Sequence, residues 1–204
     1  MEKQVLKWGL IPAEAYVHLQ KFEGDEAYYF SIVGSGIYLM IHSNGNRYQV
    51  YYIGETKEIG KRLWEHVDAY TGGNPNYWLP VSADLFNGNI VDLFNRNSGE
   101  KFKQQGSDFT KEEREKVGKE IMRQTYFVFA NLPKENCKEI EAVLHEAILK
   151  KNGFKNKGWL GEKTSSLPKK DIVIKNEFLA SYVEKMILSS LPKEIKLVDG
   201  SLKW

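Results

Sequence analysis

Apolar positions run almost without a break through Ser35–Ile41 (Ser-Gly-Ile-Tyr-Leu-Met-Ile) and again through Arg47–Ile53 (Arg-Tyr-Gln-Val-Tyr-Tyr-Ile), with Ser43-Asn44-Gly45-Asn46 between them. Runs rich in β-branched and aromatic residues suit a pleated, buried surface, and Asn-Gly between two of them is a strong hairpin signal. The pattern therefore predicts two antiparallel strands. After Gly54-Glu55-Thr56 the spacing changes: Ile59, Leu63 and Val67 recur one helical turn apart, with Lys57, Lys61 and Asp68 opposite. That predicts an amphipathic helix over residues 57–69.

Residues 71–109 hold Gly72-Gly73-Asn74-Pro75-Asn76, further Asn and Gly, and scattered aromatics such as Tyr77, Trp78, Phe86 and Phe94. A loop of that length inside a compact domain carries a function or some structure of its own, so we expect an insertion with a short helix near residues 82–94. Thr110-x-x-Glu113 is a capping-box pattern opening a charged helix to about Lys119, and Thr125–Ala130 resembles a third, buried strand. A helix over residues 138–151 follows, with Ile140, Val143, Leu144, Ala147 and Ile148 on one face, and a last helix is expected near residues 176–190. The elements predict an α/β (α+β) fold, a small three-stranded, mostly antiparallel sheet flanked by helices. There is no internal repeat.

Composition narrows the picture. A chain of 204 residues with 42% apolar and 13% aromatic residues can build one substantial core, and a single decorated domain over residues 1–204 is expected. The N-terminal stretch has no apolar h-region, and no uncharged apolar run approaches the roughly 18 residues that span a bilayer. A cytoplasmic protein without a membrane partner is the expectation. The single cysteine, Cys137, has no partner for a disulfide or a thiolate metal site. Net charge is only +2, yet between Lys150 and Lys175 eight lysines face only Glu162 and Asp171. Such a stretch suits phosphates, and it equally suits a solvated loop.

Two short strings stand in the predicted hairpin, Gly36-Ile37-Tyr38 and Tyr52-Ile53-Gly54, and the next helix carries Arg62 and His66. Each string alone is common; the two in this order, followed by Arg-x-x-x-His, are specific. In this the chain resembles the GIY-YIG nuclease family, whose core corresponds here to residues 35–158, with residues 71–120 as an insertion and residues 159–204 as a basic C-terminal extension. The residues support a shared site on their own terms. With a period of two, Tyr38, Met40 and His42 share one face and Tyr48, Val50 and Tyr52 share one face, so Tyr38 and Tyr52 are expected to converge. Arg62 and His66 are four apart on one helix face. Each residue also has an ordinary use: tyrosines pack in strands, and Arg62 can pair with Glu58 or Glu65.

The resemblance implies a glutamate on the helix after the third strand that holds a divalent cation, Mg²⁺ or Mn²⁺, and Glu141 in Ile140-Glu141-Ala142 fits that place. Glu139 and Glu146 are expected to be solvated, and His145, four residues after Glu141, to be surface polarity. Gly54, Lys61 and an asparagine after the helix are the implied substrate-binding positions; Asn156 is favoured by its neighbours, with Asn152 the alternative. The implied chemistry is hydrolysis of a DNA phosphodiester by in-line water. Tyr38 takes the proton, Tyr52 orients the phosphate or water, Arg62 holds the phosphate and His66 shares the proton. No Gly-rich phosphate loop, His-Glu-x-x-His or Cys-His metal set competes. A short chain with an insertion in its core resembles the restriction enzymes of the family, acting on double-stranded DNA, and double-strand cutting by so small a unit favours a homodimer. A structure-specific or repair-type nuclease and a DNA-binding module without catalysis are the alternatives. Base readout would fall to insertion residues such as Asn74, Asn76, Asn87, Asn89, Asn95, Arg96, Asn97 and Gln104.

Overall fold

The computed structural model describes residues 1–13, 32–44, 47–74, 110–152, 166–188 and 190–204. Among them are seven strands: β1 (Glu2–Pro12), β2 (Gly36–Asn44), β3 (Arg47–Thr56), β4 (Thr125–Asn131), β5 (Ile172–Phe178), β6 (Glu194–Val198) and β7 (Ser201–Lys203). Four helices accompany them: α1 (Ile59–Thr71), α2 (Lys111–Arg123), α3 (Lys134–Asn152) and α4 (Ser181–Leu188). The class is α+β, as expected. The sheet is not three-stranded: all seven strands join in the order β3-β2-β4-β1-β5-β6-β7.

The chain forms two compact units. The first contains β1 to Ile11, β2, β3, β4 from Phe127, and everything described after it. Within it β2 and β3 pair antiparallel, β1 and β5 pair parallel, and β5, β6 and β7 pair antiparallel in succession. α3 packs on β2 and β3, and α4 on β3 and β5.

Of the four extra strands, β1 and β5 escaped the sequence pattern for physical reasons. In β1 Leu6 and Trp8 are buried, but their same-face neighbours Glu2 and Gln4 are polar and Val5 on the other face is 45% exposed, which blurs the alternation. In β5 an inward position is Asn176; it accepts from Trp8 Nε1 at 2.9 Å and donates to the Pro192 carbonyl at 2.8 Å, so it is buried without leaving polar groups unmet. Helical structure is therefore absent at residues 176–178, and the last helix begins only at Ser181. The β6–β7 hairpin was legible: Asp199 and Gly200 have φ of 48° and 71°, the left-handed pair that a two-residue Asp-Gly turn demands.

Elsewhere the predicted elements appear with shifted ends. α3 starts at Lys134 rather than residue 138, α2 continues to Arg123, and β3 continues through Thr56. The Gly45-Asn46 turn, the proposed helix near 82–94 and most of the Asn-rich insertion lie outside the described residues.

The helices of the described part of the second unit are α1 from Gly60 and α2. Glu113 and Thr110 make the reciprocal capping box that opens α2: Glu113 N donates to Thr110 Oγ1 at 3.3 Å and Thr110 N to Glu113 Oε2 at 2.8 Å. Gly118 lets α2 approach α1 closely, since a Cβ there would run into the Tyr70 carbonyl.

Candidate functional site

The site begins in the hairpin. Tyr38 stands directly opposite Gly54, and Met40 opposite Tyr52, so these four residues share one face of the β2–β3 pair. The register then slips: Ile41 stands opposite Val50, leaving Tyr51 as an extra residue. The bulge corrects the sequence expectation that Tyr48, Val50 and Tyr52 line one face. Tyr48 and Val50 pair with Ser43 and Ile41, on the face opposite Tyr52.

The rings of Tyr38 and Tyr52 stack, with centroids 5.9 Å apart and planes 25° apart. Gly54 makes room for this arrangement: a Cβ there would lie 2.5 Å from Tyr38 Oη and 2.6 Å from its Cζ. The phenol thus lies over bare β3 backbone. Gly36 serves the neighbouring strand, because a Cβ there would collide with the Ala130 carbonyl of β4. Tyr38 is 1% exposed, whereas Tyr52 is half-buried and is the more open of the two.

Glu141 sits on α3, the helix that packs on these two strands, and is 2% exposed. Residues Ile140 to Leu149 of α3 are all buried except Glu146, so the helix is covered on nearly every side. His145 lies one turn beyond Glu141 and is 0% exposed, which overturns its reading as surface polarity. The signal available was its place on the helical wheel between Ile148 and Leu149, both apolar. Glu139 is half-buried and pairs with Lys170 Nζ at 2.6 Å. Cys137 is buried, and that burial, with Glu55 and Glu135 adding to it, pushes its thiol up to about 11. A thiol so protonated is a poor nucleophile.

Lys61, Arg62 and His66 lie on α1, within the second unit. Lys61 is exposed. Arg62 Nη1 pairs with Glu65 Oε2 at 2.7 Å, the ordinary use weighed for it from sequence. His66 is 2% exposed, and its pKa is lowered to about 3 by burial first and then by the Arg62 charge, so the imidazole is neutral at neutral pH. Asn156 lies outside the described residues; Asn152 is the last residue of α3.

The structure thus brings Tyr38, Tyr52 and Gly54 together and sets Glu141 on the helix packed against their strands. Among the described residues no three His, Cys, Asp or Glu side chains group closely enough to hold a metal ion. Among the described residues Glu141 would be the carboxylate ligand, without a surrounding cluster. That donor set fits Mg²⁺, which keeps several waters and takes other oxygens from substrate phosphates, and does not fit an all-protein cage.

Comparison of the chain with protein-family models, with curated proteins and with solved structures gives no match. No helix among the described residues is long and apolar enough to cross a membrane.

Proposed function

We propose that the chain is a divalent-metal-dependent DNA endonuclease of the GIY-YIG type. The observation that carries the reading is the pair of stacked tyrosines over Gly54, each contributed by one of the two tripeptides, on strands covered by the helix that bears Glu141. In this reading Mg²⁺ or Mn²⁺, when bound, neutralises charge on the phosphate. Tyr38 takes the proton of the attacking water, directly or through a chain, and the more open Tyr52 orients water or phosphate. Arg62 exchanges its Glu65 partner for the scissile phosphate. His66 shares that proton in this reading, and because burial and Arg62 lower its pKa, the phosphate charge would have to raise its basicity first. Gly54, Lys61 and Asn156 complete the contacts to substrate. The finer reading is a restriction-type enzyme of the cytoplasm that cuts double-stranded DNA as a homodimer.

A second reading, a DNA-binding module without catalysis, draws on two observations: Tyr38 is 1% exposed, and Arg62 is already paired with Glu65. Incubation with unmethylated phage DNA, with Mg²⁺ and with chelator, separates them by electrophoresis. Discrete Mg²⁺-dependent fragments, abolished by Glu141→Gln with DNA binding retained, are the expected result. A smear or cutting only of branched DNA would favour a structure-specific enzyme, and no cleavage with any divalent ion would favour the binding module. Undiminished cutting by Glu141→Gln would remove Glu141 from the site.

A further inference from the structure

Strands β1, β5, β6 and β7 bury one face of the sheet and leave most of the other in solvent, with Val173 buried among its exposed neighbours. Directly paired residues point to the same face, so the register shows what the open face carries. One cross-strand row is Lys3, Val173, Lys196 and Lys203; the next is Val5, Lys175 and Glu194; the third is Lys7 and Glu177. All five lysines are exposed.

Five lysines against Glu177 and Glu194 leave an excess of positive charge on one face, in a chain whose entire net charge is +2. Glu194 offsets part of it, with Lys196 at 2.9 Å and Lys175 at 3.7 Å. Lys3, Lys7 and Lys203 make no ion pair among the described residues. Strands lie about 4.8 Å apart and rise about 3.3 Å per residue, so Lys196 and Lys203 stand about 5 Å apart, Lys3 about 10 Å from Lys196, and Lys7 about 13 Å from Lys3. The cations are borne by paired strands, at spacings set by the register, rather than by a loop.

We infer that this face docks the phosphate backbone of a nucleic-acid duplex without reading its sequence. Duplex DNA offers one negative charge per about 1.7 Å of axis, dense enough for long lysine side chains at such spacings to reach several phosphates at once. The rows contain no aromatic and no leucine. A surface that inserts into lipid needs such anchors, so a duplex suits the face better than a membrane does. The inference does not depend on the nuclease reading, because a chain that cuts nothing can still bind here.

The test is fluorescence anisotropy with a labelled DNA duplex in chelator, which removes cleavage from the measurement, over a range of salt from about 50 to 200 mM. Wild-type protein is compared with K3Q/K7Q/K203Q and with a charge-matched control, K116Q/K119Q/K185Q, whose lysines are exposed on α2 and α4. The expected result is at least about tenfold weaker binding by the first variant, with the slope of log K against log salt reduced by about two to three, and little change in the control. Circular dichroism melting of the two variants should match wild type, since only exposed side chains change. No binding by wild type, equal weakening by both triple variants, or capture by phosphatidylserine vesicles in place of duplex would each overturn the inference.

Discussion

Residues Ile37 to Ile41 of β2 are at most 1% exposed, whichever face of the strand they occupy, whereas in β6 Ile195 and Leu197 are buried and Lys196 between them is exposed. The first strand belongs to the half of the sheet that is covered on both sides, the second to the half with one side open. A doubly covered strand is an unbroken apolar run, and polar groups caught in it are stripped of water. His42 shows the consequence: 2% exposed, with neither ring nitrogen hydrogen-bonded, its pKa is lowered to about 4 by burial alone. Tyr38 is buried in this half, where, in the proposed nuclease reading, a positioned group would act strongly on a reacting bond. Charges of the open half stay solvated, which suits long-range, salt-sensitive docking.

The largest effect should come from neighbours on one strand. Leu39→Ala and Met40→Ala point to opposite faces of β2, and each is expected to cost about 2–5 kcal/mol in urea denaturation. In β6, Leu197→Ala should cost a similar amount while Lys196→Ala stays within about 0.5 kcal/mol. If Leu39→Ala or Met40→Ala were as mild as Lys196→Ala, β2 would not be covered on both sides.

Acid should discriminate the halves next. An unfolded histidine titrates near 6.5 and the folded His42 near about 4, so the unfolded state holds the extra proton between those values. The contribution of His42 is complete above pH 6.5, falls as pH drops, and is lost through about pH 4. At about 1.4 kcal/mol per pKa unit, His42→Leu should remove on the order of 3 kcal/mol of the acid-induced loss. An unchanged stability–pH curve in that variant would mean that His42 is solvated.

A smaller effect is expected at the buried polar group of the open half. Asn176→Leu strands Trp8 Nε1 and the Pro192 carbonyl and should cost about 1–3 kcal/mol, with no dependence on pH between 4 and 7. Two-state melts at both ends of that range check it.

The parts of the fold written in the sequence are those where one local rule dominates. The β2–β3 runs, the Thr110–Glu113 capping box and the apolar arc of α3 follow from side-chain type and spacing, and each has a counterpart in the structure. The candidate residues were legible because two tripeptides and an Arg-x-x-x-His string stand in order. Asp199-Gly200 is equally legible as a hairpin turn. The misses have a different origin. β1 carries Gln4 and Val5 on the sides where the alternation would place the opposite polarity, and β5 holds Asn176 in its buried face.

The sequence by itself determined the α+β class, the β2–β3 hairpin and the capped start of α2, because these depend on neighbours within a few positions. Tertiary structure alone decided that the N-terminal strand runs parallel to β5, that the sheet has seven strands rather than three, and that the bulge at Tyr51 turns Tyr48 and Val50 away from Tyr52. It also decided that His145 is buried and Arg62 paired with Glu65. The reason is physical: pairing between strands some 170 residues apart, and the dehydration of a side chain by elements far along the chain, leave no fixed local period for a sequence to display.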